Sequence, residues 1–219
     1  MVHLLKSGGL LMLPLVLCSF VSLTLIIERS IFWLRIRRDK DRELVYRVLD
    51  LAEQGLWDEI RLAARGSRNF IIRILINGIL HRDYSMAMAM ESAASDELRK
   101  MRRFMGVLET IITVAPLLGI LGTVVGIIHS FDMLGAKGIG DPQAVTGGIA
   151  QALITTAAGL SISILTLLPC NYFNACAEAS ALAIEKYATS LEITYEKRAN
   201  GNHDVQRPEE GKLAAGGRG

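Results

Sequence analysis

Three stretches of this 219-residue chain contain no Asp, Glu, Lys or Arg: Ser7–Ile27, Thr110–Phe131 and Pro142–Ala177. A helix needs about 20 apolar residues to cross the hydrocarbon core of a bilayer, and each stretch is long enough. A soluble domain spreads its apolar residues along the chain to build one core. Here they are concentrated, which points to a polytopic membrane protein with three spanning helices. With 51% hydrophobic and 21% charged residues, the composition excludes disorder, a collagen and a disulfide-rich secreted module. A net charge of +2 gives no sign of a nucleic-acid partner.

The spans are read at about Gly8–Ile27, at Val107–Phe131, and from Val145 to an exit near Pro169–Phe173. The first resembles a signal peptide, and Leu15–Cys18 resembles a lipoprotein cleavage site. Leu17 is too large for such a site, the apolar run is long, and its basic residues follow it, so a retained helix is expected. Trp33 with Arg35, Arg37, Arg38 and Lys40 forms an interfacial anchor. Lys and Arg set the orientation. Glu28–Phe104 carries 16, the loop Asp132–Thr146 only Lys137, and the N-terminal arm only Lys6. The positive-inside rule puts the N-terminus and the short loop outside, and the large loop and C-terminus inside.

The expected organisation is an outside arm with the first span (1–30), a helical cytoplasmic region (31–106), the second span (107–131), a short external loop (132–146), the third span (147–173), a cytoplasmic helix (174–199) and a disordered tail (200–219). Leu44, Val45, Val48, Leu49 and Ala52 recur at helical spacing, and Gly55 ends that run. Trp57, Ile60 and Ala64 make a second short helix ending at Gly66. Phe70–Leu80 is apolar but too short to span, so it is read as a helix buried against its neighbours.

Met86, Met90, Ala94, Leu98, Met101, Met105, Leu108 and Ile112 step by four and three, with no Gly or Pro across Met86–Met105. This predicts one helix running from the cytoplasm straight into the bilayer. Phe173, Ala177, Ala181, Ile184, Ala188, Leu191 and Tyr195 form the matching stripe on the way out. The fold class is therefore all-α, with the second and third spans extended into a cytoplasmic helical bundle. That bundle is either a cage shared by several subunits or an antiparallel hairpin within one chain.

No enzyme constellation is present. His3, His81, His129 and His203 pair with no acid or cysteine at a ligand or triad spacing. Cys18, Cys170 and Cys176 read as small apolar residues, so neither metal nor cofactor is implied. Gly119, Gly122 and Gly126 share one face of the second span, one turn after Pro116, which loosens the helix locally. They suit either an ordinary tight helix pair or a crowded ring of helices. On the third span Gly147, Gln151, Thr155, Gly159 and Ser163 step by four, flanked by Thr156. Such a stripe is either interhelical glue or a pathway lining. Thr123 lies about 12 Å inside the second span and Thr156 about 13–14 Å inside the third, so the two hydroxyls fall at similar depth. No Asp, Glu or Lys lies within the charge-free stretches. Glu28 and Glu109 fall at the inner edge and Asp132 at the outer.

Ala115-Pro116-Leu117-Leu118-Gly119-Ile120-Leu121-Gly122-Thr123-Val124-Val125-Gly126 resembles the second-span signature of the MotA/TolQ/ExbB proton-channel family. Gly147 to Leu160 resembles its third-span signature, and Gly8 to Arg29 its first span. The ExbB/TolQ branch fits best, over about residues 8–200. The resemblance implies a bacterial inner-membrane subunit that forms a pentamer around the transmembrane helices of a dimeric ExbD- or TolR-like partner, in contact with membrane lipid. In that family the partner's Asp carries the proton, and the channel subunit supplies the threonines that match Thr123 and Thr156; Gln151 and Thr155, from the polar stripe, are the further candidates for the path. A TonB- or TolA-like protein receives the work, for outer-membrane transport or envelope maintenance. Many members have Glu where this chain has Gln151, which can hydrogen-bond but not exchange a proton. The alternative is an oligomeric scaffold that holds the partner and conducts nothing.

Overall fold

A computed structural model describes residues 11–39, 41–137 and 142–205. Among them every regular element is a helix: α1 (Met12–Arg38), α2 (Arg42–Gln54), α3 (Trp57–Ala63), α4 (Phe70–Leu80), α5 (Met86–Met101), α6 (Met105–Lys137) and α7 (Pro142–Val205). Three segments are long and apolar enough to cross a membrane: Met12–Arg38, Met86–Met133 and Thr146–Arg198. The chain forms two units. Among the described residues, one joins 11–34 to Arg102–Cys176, and the other joins Arg35–Met101 to 177–205.

The apolar unit packs by small contacts and leaves its large side chains outside. Met12 and Leu15 of α1 meet Ala115 of α6, with Leu118, Ile154, Ala158 and Ile162 around them. Leu17, Phe20 and Leu23 on α1, Leu117 and Val124 on α6, and Leu153, Leu165 and Leu168 on α7 are exposed. A helix apolar on every side, with its bulk turned outward, is suited to lipid and not to water. Pro169 sits inside α7 without ending it.

The polar unit is a conventional amphipathic assembly. Asp41 caps α2 by accepting from the Leu44 N–H at 3.0 Å, and Gly55 closes it in the left-handed region at φ 74°. Val45, Val48, Leu51 and Ala52 are buried beneath it. The Phe70–Leu80 helix is buried as expected, with Phe70, Ile72, Ile74, Leu75 and Ile79 inside. Its Gly78 lets the Met86 and Met90 side chains lie against the backbone. Glu97 is buried on α5 and held from two sides, by Arg73 at 2.7 Å and Lys100 at 2.9 Å. On α7, Ala177, Ile184 and Leu191 of the expected stripe are buried.

Two expectations need correction. The helix predicted to run unbroken through Met86–Ile112 is interrupted at Arg102–Phe104, where Phe104 takes φ 66°. Heptad-like spacing cannot reveal this, because the stripe resumes in register at Met105. A left-handed residue with a side chain costs about 1–2 kcal/mol. Cation–π contacts oppose that cost: Arg103 lies 4.5 Å and Arg29 5.8 Å from the Phe104 ring centre. The other correction concerns ends. α6 continues to Lys137 and α7 begins at Pro142, so helix occupies most of the expected loop 132–146, and α7 reaches Val205. The arm 1–10, the rest of that loop at 138–141 and the tail from 206 lie outside the described residues.

Candidate functional site

α6 and α7 run antiparallel, and their meeting line is made of small and hydroxyl residues. From one end, Gly148 meets Ser130, and Gly126 meets Ala152. Gly122 then meets Thr155, Gly119 meets Thr156, and Gly159 meets Ala115. A methyl group on Gly126 would stand 2.7 Å from the Ala152 Cβ, and one on Gly119 would stand 3.0 Å from the Thr156 Cα. Backbones this close leave no room for a side chain, which is why glycine occupies these positions.

Hydrogen bonds cross the same line. Thr156 Oγ1 donates to the Gly119 carbonyl at 2.7 Å. Ser163 Oγ donates to the Ile112 carbonyl, also at 2.7 Å. The second bond has a cause in the sequence. Pro116 has no N–H, so the carbonyl four residues earlier, Ile112, loses its helical donor. Ser163 supplies a donor from the neighbouring helix, as apolar surroundings require. Pro116 was read as loosening α6. The structure adds that α7 repairs the opening.

The other candidate residues divide. Thr155 is buried at 1% exposure and its hydroxyl returns to the Ala152 carbonyl at 2.7 Å, so within the chain it packs against Gly122. Thr123 is half-buried and donates to its own helix at Ile120 O, 2.6 Å away. It lies four residues beyond the Gly119 that receives Thr156, a rise of about 6 Å. The two threonines thus sit about one helical turn apart in depth, each bonded to a different carbonyl. Gln151 is half-buried, beside the Ala152 that packs on Gly126. Gly147 faces open space within the chain, and Gly148 makes the close contact instead.

Residues 66–186 match the MotA/TolQ/ExbB proton channel family. The chain belongs to that family. It is 34% identical over 215 residues to the Synechocystis biopolymer transport protein ExbB-like 3, covering 95% of this chain and 98% of that protein. It is 41% identical over 168 residues to ExbB-like 1 of the same organism, covering 74% of this chain and 66% of that protein. A biopolymer transport protein ExbB of Xanthomonas campestris shares 32% over 123 residues, 56% of this chain and 47% of that one. With its three apolar helices, this MotA/TolQ/ExbB member is a multi-pass membrane protein and a proton-channel-type energy-transduction subunit, not an enzyme.

One group escaped the sequence reading. Arg29 entered the sequence reading only within the Lys and Arg count of Glu28–Phe104 and as the end of the first-span resemblance, yet it is 2% exposed. Its guanidinium binds Glu28 through two nitrogens, one at 2.7 Å, and lies 4.5 Å from the centre of the Phe32 ring. An arginine with an acid at i−1 and an aromatic at i+3 is the available signal, and it is common in exposed helices too.

Proposed function

We propose that this chain is the channel-forming subunit of an inner-membrane motor of the ExbB/TolQ kind, coupling the proton motive force to work in the cell envelope. Its copies form a ring, a pentamer by family resemblance, around the single spans of an ExbD- or TolR-like dimer. A TonB- or TolA-like protein passes the work to outer-membrane transport or envelope maintenance. The N-terminus is periplasmic and the C-terminus cytoplasmic, on the Lys and Arg distribution.

The observation that carries the reading is the Thr156–Gly119 bond on the α6–α7 line, inside both spanning signatures. It fixes a hydroxyl about one turn from Thr123, on the line of small and hydroxyl residues along which α6 and α7 meet. Hydroxyls can order water and pass hydrogen bonds, but they do not hold a proton at ordinary pH. The titrating group at that level therefore comes from the partner's span. Gln151, where many members of the family carry Glu, leaves that partner acid as the proton carrier there.

The test is proton flux in liposomes containing the complex purified from its own cells. Thr156→Val is expected to abolish most flux while native mass spectrometry shows the same assembly. Wild-type flux in that variant removes Thr156 from the path. A wild-type complex that assembles with its partner but conducts nothing, with function in cells indifferent to a protonophore, establishes the scaffold reading instead. Gln151 is the residue that favours that alternative.

A further inference from the structure

We propose that Glu109 is the proton-releasing carboxylate at the inner end of this path, held in place by Asn174. The proposal deepens the proton-channel reading and rests on it.

The argument starts from the charges. Thr110–Phe131 and Pro142–Ala177 contain no acid, so the first carboxylate reached along α6 from Thr123 toward its N-terminus is Glu109. Glu109 is exposed, and it has a partner on the neighbouring helix. Asn174 Nδ2 donates to its Oε1 at 3.4 Å from the opposite helix. The same amide nitrogen lies 4.0 Å from the buried Cys170 sulfur, which fixes the amide from its own side. Among the described residues the Asn174–Glu109 bond joins Thr156 to Gly119 O and Ser163 to Ile112 O as a polar contact between α6 and α7, and of these three it is the one that ends on a carboxylate.

Helical phase places these groups together. Thr156 and Asn174 are about five full turns apart on α7, hence on one face. Thr123 and Glu109 are about four turns apart on α6, hence on one side of it. The two hydroxyls and the carboxylate–amide pair thus belong to the same flank of the helix pair. An amide that donates to a carboxylate orients it without removing its charge, and the second carboxylate oxygen stays available to water.

The step is a proton transfer only. The Glu109 carboxylate takes one proton from a hydronium ion, formed when the partner's acid gives its proton to water at the threonine level; the hydronium O–H bond breaks to leave water, and an O–H bond forms on the carboxylate oxygen. It then gives one proton to bulk water on the inner side and returns to its charged state. Nothing is oxidised or reduced. With Gln151 unable to exchange a proton, Glu109 supplies an exchangeable group at the inner end of the α6–α7 pair.

Glu109→Gln is the informative variant, because it keeps a carbonyl for Asn174 to bind and removes only the exchangeable proton. Reconstituted with its partner and followed with an entrapped pH-sensitive dye, it is expected to lose at least about tenfold in flux with its assembly unchanged. Acetate on the inner side, a small acid that can stand in for the side chain, is expected to restore flux in this variant and leave wild type unaffected. Glu109→Asp keeps the acid and is expected to retain most of the flux. Flux in Glu109→Gln within about twofold of wild type overturns the proposal. So does a loss shared equally by Glu109→Asp that acetate does not reverse, which would make Glu109 a packing residue. Should Glu109→Gln fail to assemble, Glu109→Asp decides: retained flux supports the proposal and lost flux overturns it. Silence of the wild-type complex under the same conditions overturns the channel reading itself, so the two failures are told apart.

Discussion

The Thr156 hydroxyl lies 2.7 Å from the Gly119 carbonyl oxygen across the α6–α7 pair, although the two residues are 37 positions apart in the chain. The bond forms because Gly119 has no side chain to keep α7 away. Thr156→Ser keeps the hydroxyl and loses one methyl. It is expected to retain flux within about threefold, whereas Thr156→Val, of the same shape, loses it. Equal loss in both variants would point to packing and not to the hydroxyl.

Among the described glycines Gly159 is the one pressed closest against neighbouring backbone, facing the Ala115 carbonyl, with the Gly119 Cα 3.2 Å from where a Cβ would stand. Gly159→Val forces the backbones apart. The expected cost is about 1–3 kcal/mol, the usual range for overpacking. Thermal unfolding in detergent should show it, and the same substitution at Gly147, which faces open space within the chain, serves as the control. A larger drop at Gly147 than at Gly159 would show that the glycine contacts between chains outweigh those within one.

Pro116 and Ser163 should be energetically coupled. Ser163→Ala alone strands the Ile112 carbonyl and is expected to cost about 1 kcal/mol. With Pro116→Ala in place, residue 116 regains an N–H that can reach the same carbonyl, and Ser163→Ala should cost less than half as much. A double-mutant cycle on unfolding free energy measures the difference. Additive effects would mean that the serine does not compensate for the proline.

Arg29 holds Glu28 through two nitrogens and packs on Phe32. Lysine cannot reproduce a planar fork. Arg29→Lys is expected to destabilise by about 1–2 kcal/mol despite keeping the charge, with Glu28 half-exposed and so only partly penalised for losing its partner. A melting temperature unchanged by Arg29→Lys would reduce the site to a surface charge.

Glu97 is the buried acid of the polar unit, 12% exposed in its side chain and bonded to Arg73 and Lys100. Glu97→Leu removes the acid but leaves two cations whose side chains are more than half exposed and can turn to water. Its expected effect on stability is small, under about 1 kcal/mol, because the desolvation of the acid is relieved at the same time. Circular dichroism melting of the purified chain checks this, and a loss above about 3 kcal/mol would show that the ion pairs are stronger than their exposure suggests.

Much of this was legible in the residues. The three apolar segments follow from the charge-free stretches, since no other structure satisfies backbone groups across a bilayer at that length. The close α6–α7 pairing follows from Gly119, Gly122, Gly126 and Gly159, and the burial of Phe70–Leu80 from its composition. The Phe104 break was not legible, because the apolar stripe keeps its phase across the interruption. Nor could spacing along one helix separate Thr155, which packs, from Thr156, which bonds across. Neighbouring residues on a helix differ by about 100° in direction, and only the position of the second helix decides which one meets it.

The sequence by itself determined the class of molecule, its spans and the small residues along which they approach. Those properties depend on composition and on local periodicity, which each segment carries alone. Tertiary structure decided which groups find each other: Ser163 with the carbonyl freed by Pro116, Arg29 with the Phe104 ring, Asn174 with Glu109. Those pairs join distant positions through a crossing geometry and register that no single helix encodes. The polar chemistry of this membrane protein therefore appears only once its helices are packed.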